Sequence, residues 1–578
     1  MDIGPTPETI PTQPQAPAAS LGDRYTAHDR PVLISGVQAL LRILIEQRRL
    51  DRTAGLNTAG LVSGYRGSPL GGLDLALWRE QKLLAEHDIR FQPGLNEDLA
   101  ATMVWGAQQL DAFPGKRVAG VFGMWYGKGP GVDRSGDAFR CANMLGTAAL
   151  GGVLAVSGDD HGAHSSTYPH QTEQSFQSVL MPVLHPASVQ DIVDFGLAGI
   201  ALSRFSGLWV AMKTTSETAE QSGDLIVPAS RHFATPDFAL PAHGLNFDPS
   251  LHFPADRAEL ERRVLTERLP AVFAWARANR LDRLIAGDHR AEIGIVTIGK
   301  AHLDAVHALR RLGLDRHPAI ALYQVGMTWP LETAGLADFA AGKRMLLVVE
   351  EKRSFVEAQI RDALYNLPAD RRPAVLGKTD AAGAPLLSPL LELSPEALIA
   401  AFRRVLPDAG IALPEAAPAP AAAPANVATL ARTPAFCAGC PHATSTKLPD
   451  GSFATAGIGC HFMALDDDPA TRTFTHMGGE GATWVGLAPF TDMPHVFANL
   501  GDGTYTHSGV LAIRQAVAAG TAITYKLLFN GAVAMTGGQP AEGGFDVPTI
   551  AAQIAAEGVR RIAVVADEAA RLPPSAKL

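Results

Sequence analysis

The 578-residue chain reads as a multidomain α/β protein with parallel sheets. Three observations carry that reading. Apolar runs of strand length alternate with helix-periodic stretches and break at glycine-rich corners. The length exceeds what one hydrophobic core organises. Residues 412–433 hold four prolines, many alanines and almost no charge, as a semi-extended linker does. The expected layout is a flexible tail over 1–29, a first α/β domain over 30–236, a connector with a second α/β domain over 237–411, the linker over 412–432, and a last α/β domain over 433–578.

Composition narrows the function classes. The chain is 47% hydrophobic and 19% charged, and no apolar run approaches 18 residues, so no membrane span is expected. Its 49 basic and 58 acidic side chains give a net charge of −9, without the basic cluster of a nucleic-acid footprint. The first 20 residues are Pro-rich and acidic and do not read as a secretory signal. Four cysteines in so long a chain make no disulfide framework, and three of them fall within 24 residues, which suits a reducing cytoplasm.

In chain order, residues 31–50 read as a helix with Val37, Leu40, Leu41, Leu44 and Ile45 on one side. The apolar run 60–62 then leads into the corner Gly64-Tyr65-Arg66-Gly67-Ser68-Pro69. A short strand at 91 delivers Asn96-Glu97 to the start of a helix running to Gln109; a Glu there serves equally as a dipole partner. Apolar runs 120–125 and 152–156 read as strands, and the Gly-x-Gly of 127–129 lacks the strand-to-helix register of a nucleotide fingerprint. After the second run, His161, His164 and His170 make a polar loop rather than a zinc site, at a strand end where they wall a substrate pocket. A strand over 207–213 closes the domain.

Residues 237–290 read as an irregular, then helical connector. Strands at 292–298, 319–325 and 345–349 with helices at 301–312 and 354–365 make the second domain, a packing and dimer-contact unit that includes 325–332. The last domain opens with Cys437-x-x-Cys440, followed by Gly457-Ile458-Gly459-Cys460. Three thiolates suit a zinc site closed by His442 or His461, or an iron–sulfur cluster. Residues 495–500, 508–519 and 523–529 form strand, helix and strand, and a final strand covers 561–566. In such a βαβ unit the carboxyl ends of both strands share one sheet edge, so Asp502 and Asn530 meet although 26 residues separate Gly503 from Asn530. A carboxylate, an amide oxygen and the Ala532 carbonyl suit magnesium that also holds a diphosphate, with a helix amino end behind it.

Gly501-Asp502-Gly503, 26 residues and then Asn530 resemble the thiamine diphosphate fingerprint. With Ala534-Met535-Thr536-Gly537-Gly538-Gln539, the corner at 64–69, Asn96-Glu97, the segment 159–166 and the cysteine motifs in order, the chain resembles the 2-oxoacid:ferredoxin oxidoreductases, most of all the long, fused indolepyruvate ferredoxin oxidoreductases. The resemblance runs from about Tyr25 to Ala566. It implies a pyrimidine-binding first domain, a transketolase carboxy-terminal-like second domain and a diphosphate-binding last domain. It implies that Tyr65, Arg66, Ser68, Gly501, Gly503 and Thr536 contact thiamine diphosphate, that Asp502, Asn530 and Ala532 hold magnesium, and that Glu97 activates the aminopyrimidine. Cys437, Cys440 and Cys460 would carry a [4Fe-4S] cluster whose fourth ligand lies elsewhere. The implied reaction is oxidative decarboxylation of an aryl 2-oxo acid, with coenzyme A taking the acyl group and ferredoxin the electrons. A homodimer and a gamma-type domain or subunit are expected, and the ending at Leu578 reads as cut before that domain. Two rival readings stay open: a non-redox thiamine decarboxylase or ligase, and an incomplete cofactor-binding subunit that needs a partner.

Overall fold

The computed structural model describes residues 20–251, 254–414 and 434–566. Most of the tail, most of the linker and the ending after Ala566 lie outside them.

A seven-stranded sheet organises the first part of the chain. Its order is Met327–Trp329, Val183–Leu184, Val210–Thr215, Val153–Asp159, Gly120–Lys128, Thr58–Gly64, Ile89–Phe91. Every neighbouring pair is parallel except the one at the Met327–Trp329 edge. Val153–Asp159 is buried along its whole length, which explains the apolar run over 153–156: helices cover both faces of a parallel sheet. Helix Gly36–Thr53 packs on helix Val189–Ser206 so closely that a Cβ on Gly196 would sit 2.2 Å from Ile43. A second, five-stranded sheet spans Arg283–Ala286 to Ala374–Leu376. A third has four parallel strands in the order Thr471–Phe474, Ala454–Ala456, Val496–Gly501, Ile523–Leu528. The chain is therefore multidomain α/β, as expected. Among the described residues no helix is long and apolar enough to cross a membrane.

Several local expectations need correction. Residues 31–50 are not all helix. Ser35 caps the helix reciprocally with Gln38, which fixes its start at Gly36, and Val32–Ser35 pairs antiparallel with Ser222–Leu225. The connector contributes a strand, Arg283–Ala286, antiparallel to Ile320–Val325. The run 325–332 leaves the second sheet and adds Met327–Trp329 to the edge of the first. Asp282 turns it there by accepting from the Gly326 and Met327 amides at 2.8 and 3.1 Å, and burial pushes that carboxyl up to about 7. Lys128 ends a strand and Gly129 begins helix Gly129–Arg134, so strand-to-helix register is present there after all. No strand forms at 561–566: no neighbour among the described residues offers a ladder there, and Val565 is 91% exposed.

Candidate functional site

The carboxyl edges of the first and third sheets face each other, and Glu97 sits where they meet. Its helix, Glu97–Ala107, is capped by Asn96, whose side chain accepts from the Leu99 amide at 3.1 Å. From the adjacent strand the Trp125 Nε1–H donates to the Glu97 carbonyl at 3.0 Å and fixes the first turn. Gly131 presses against the side chain, so that a Cβ there would lie 2.5 Å from Glu97 Cγ. The carboxylate is therefore aimed by packing from two elements of its own domain.

What it is aimed at comes from the third sheet. His507, on the helical turn after Gly501-Asp502-Gly503, places Nε2 2.7 Å from Glu97 Oε2, and both groups are buried. The Asn96 amide donates to the His507 carbonyl at 3.1 Å, so the two sheet edges are stitched twice. Burial drives the Glu97 carboxyl up, yet the hydrogen bond and charge of His507 outweigh it and hold the carboxyl below its usual range. His507 escaped the sequence reading; the signal was a histidine in the first turns after that Gly-Asp-Gly. The Tyr65 ring meets the imidazole edge-on at 4.7 Å, and burial pushes its phenol far up.

Asp502 and Asn530 meet as expected. Asp502 is 4% exposed, accepting from the Gly503 amide through Oδ1 at 2.8 Å and from the Asn530 and Gly531 amides through Oδ2 at 2.9 and 2.7 Å. Asn530 Oδ1 accepts from the Ala532 amide at 3.0 Å. The carboxylate thus has only backbone donors, with no cationic side chain paired to it among the described residues. A buried anion so placed, beside an amide oxygen and an open turn, fits a hard divalent cation. The fully buried Asn499, one strand residue pair away, has both side-chain polar atoms unpartnered, a further sign of a polar site.

The loop from Asn530 to Gly544 closes over the first domain. Arg66, buried, donates to the Pro540 carbonyl at 3.0 Å and pairs with Glu542. Gln539 donates to the fully buried Asp74 at 3.1 Å, and Tyr126 donates to the other oxygen of that carboxylate at 2.7 Å. Thr536 lies in this loop with Gly537 against Leu75. Ser68 accepts from the Ser165 hydroxyl at 2.6 Å. Trp78, Leu95, Leu99 and Met103 line an apolar cavity of about 690 Å³ beneath Pro540 and Glu542.

The three cysteines lie at the same edge. Cys437 and Cys440 sit on one turn, closed by the Cys440 amide to the Cys437 carbonyl at 3.0 Å. Burial, then the charges of Cys440 and Cys437, push the Cys460 thiol up, as expected of neighbouring thiols. Among the described residues no group of three or more metal-ligating side chains stands in ready coordination. His461 is buried with Nε2 unpartnered, and burial holds its imidazole down to about 4.

The histidines of the first domain scatter to separate partners. His161 Nδ1 lies 2.6 Å from Glu351, His164 Nε2 lies 2.6 Å from the Glu392 carboxylate, and His170 Nε2 lies 2.9 Å from Asp133. His161 is fully buried and joins the first sheet to the second, so the second domain is tied to this edge through Glu351, a contact the sequence reading missed. Beside it, Lys213 bridges Glu173 at 2.7 Å and Asp159 at 3.3 Å in full burial.

The sequence profile of the indolepyruvate oxidoreductase domain matches residues 283–421. The chain is 25% identical over 541 residues to a protein named indolepyruvate oxidoreductase subunit IorA from Methanothermobacter marburgensis, covering 91% of this chain and 78% of that one. It is 25% identical over 546 residues to the same-named subunit of Archaeoglobus fulgidus, covering 89% and 77%. Among solved structures it is similar to a 2-oxoglutarate:ferredoxin oxidoreductase from Magnetococcus marinus, with a TM-score of 0.44 and 16% identity over 65% of each chain. A split-gene transketolase in an inactive β4 tetramer gives a TM-score of 0.38 and 12% identity, over 65% of this chain and 98% of that one.

Proposed function

From the premise that the chain belongs to the indolepyruvate ferredoxin oxidoreductase family, we propose that it decarboxylates an aryl 2-oxo acid oxidatively, using thiamine diphosphate and magnesium. The products are carbon dioxide, an acyl-coenzyme A and two electrons that leave through an iron–sulfur cluster to ferredoxin. The observation that supports this reading most is the meeting of Glu97 with the third sheet, one helical turn from Asp502.

In this reading Asp502, Asn530 and the Ala532 carbonyl would hold the magnesium that anchors the diphosphate, and Gly501, Gly503 and Thr536 would leave room for the phosphates. The cofactor supplies a carbon nucleophile for the keto carbon and a sink for the electrons released with carbon dioxide. The chain supplies position and protons. Glu97 would present its carboxyl to the pyrimidine, Trp125 and Gly131 keep it aimed, and Tyr65, Arg66 and Ser68 would wall the pyrimidine side. The loop 530–544, fastened by Arg66–Glu542 and Gln539–Asp74, excludes water. Cys437, Cys440 and Cys460 would hold irons of a cluster, which would supply one-electron acceptance at the same edge. The relatives are named as subunits, which favours a gamma-type partner chain beside a homodimer of this one.

The test is anaerobic turnover of indolepyruvate with coenzyme A, thiamine diphosphate and magnesium, with and without the neighbouring gene product, read as ferredoxin reduction. Carbon dioxide release without ferredoxin reduction in both mixtures would replace the reading with a non-redox decarboxylase.

A further inference from the structure

Glu97 faces a demand that its own environment opposes. A pyrimidine ring nitrogen is an acceptor, and only a protonated carboxyl can donate to it. Burial pushes the carboxyl toward that form, but His507 first, and Arg134 after it, hold it ionised. Among the described residues Tyr65 also faces the pair, and Arg66, Asp74 and Asp502 act on Tyr65 from beyond its ring.

We infer that His507 is a positioning residue that keeps the Glu97 carboxylate aimed across the sheet edges and hands it the proton that an arriving pyrimidine ring requires. The inference rests on the thiamine diphosphate reading above. The His507 Nε2 stands 2.7 Å from Glu97 Oε2, Nδ1 stands 2.7 Å from the Ser508 hydroxyl, and the backbone carbonyl accepts from the Asn96 side-chain amide. The step balances within the pair. Starting from the imidazolium–carboxylate pair, the Nε2–H bond breaks, an O–H bond forms on Oε2 and turns from Nε2 to the ring nitrogen, and the imidazole is left neutral with its remaining proton on Nδ1 toward Ser508. No proton is drawn from solvent.

The first test needs no cofactor. Infrared spectra at pH 7 compare wild type, His507→Gln and His507→Gln/Glu97→Gln. Glutamine keeps a hydrogen-bond donor but no charge, so burial acts on Glu97 unopposed. His507→Gln is expected to gain one protonated-carboxyl stretch that is absent from wild type and lost again in the double variant. No new band in folded His507→Gln would overturn the inference. The second test uses unsubstituted protein and so does not depend on how His507→Gln folds. Thiamine diphosphate with magnesium is titrated calorimetrically in buffers of different ionisation enthalpy, into wild type and Glu97→Gln. Equal proton uptake is expected; one extra proton taken from solvent by wild type would sink the hand-off. If the cofactor fails to bind wild type, the cofactor reading and the hand-off fall together, while the infrared result still decides whether His507 holds Glu97 ionised.

Discussion

Replacing Asp502 with alanine tests the diphosphate site and the loop over it at once. The carboxylate is 4% exposed and accepts from three backbone amides, two of them, Asn530 and Gly531, on the far strand end. Hydrogen bonds to a charged acceptor contribute about 1.5–3 kcal/mol each, so the two that fasten the loop are worth about 3–6 kcal/mol. At 1.4 kcal/mol per tenfold, local opening should rise by about two to four orders of magnitude. Hydrogen exchange across residues 529–533 of cofactor-free protein reads this directly, with the buried strand Val153–Asp159 as an internal reference. The same variant should show no calorimetric binding of thiamine diphosphate with magnesium. Exchange at 529–533 within threefold of wild type would refute the claim that Asp502 closes the loop. Wild-type cofactor affinity would move the metal site elsewhere.

Glu97→Gln should bind thiamine diphosphate nearly normally but slow exchange of the thiazolium C2 proton by about a hundredfold or more, the scale of a lost acid–base group; unchanged exchange would leave Glu97 as a helix-dipole residue. Protein purified anaerobically should carry iron and acid-labile sulfide that Cys460→Ser depletes, whereas stoichiometric zinc without iron would promote the non-redox reading. Glu480 is fully buried and burial raises its carboxyl from 4.5 to about 7. The folded form keeps a proton that the unfolded form loses near 4.5, so the stability is complete below that pH and erodes, by about 3 kcal/mol in all, as pH rises to 7. Glu480→Gln should narrow the gap in thermal midpoint between pH 5 and pH 8, and an unchanged gap would show that Glu480 titrates normally.

The parallel strands were legible because strands buried on both faces carry apolar runs, as residues 153–156 of Val153–Asp159 show. The pairing of Asp502 with Asn530 was legible too, since a βαβ unit fixes which strand ends share an edge, and the parallel register of Val496–Gly501 with Ile523–Leu528 delivers it. Local chemistry also placed Glu97 at a helix start behind Asn96. Contacts between distant segments were not legible, because no periodicity encodes which surface packs on which. Only the tertiary structure set His507 against Glu97 across 410 positions, tied Arg66 to Glu542, and buried His161 on Glu351. It also decided strands whose ladder partner is remote: Met327–Trp329 gained the edge of the first sheet, while 561–566, apolar but without a ladder partner among the described residues, stayed irregular. The sequence specifies which groups can do the chemistry, and the docking of two sheet edges specifies which of them meet.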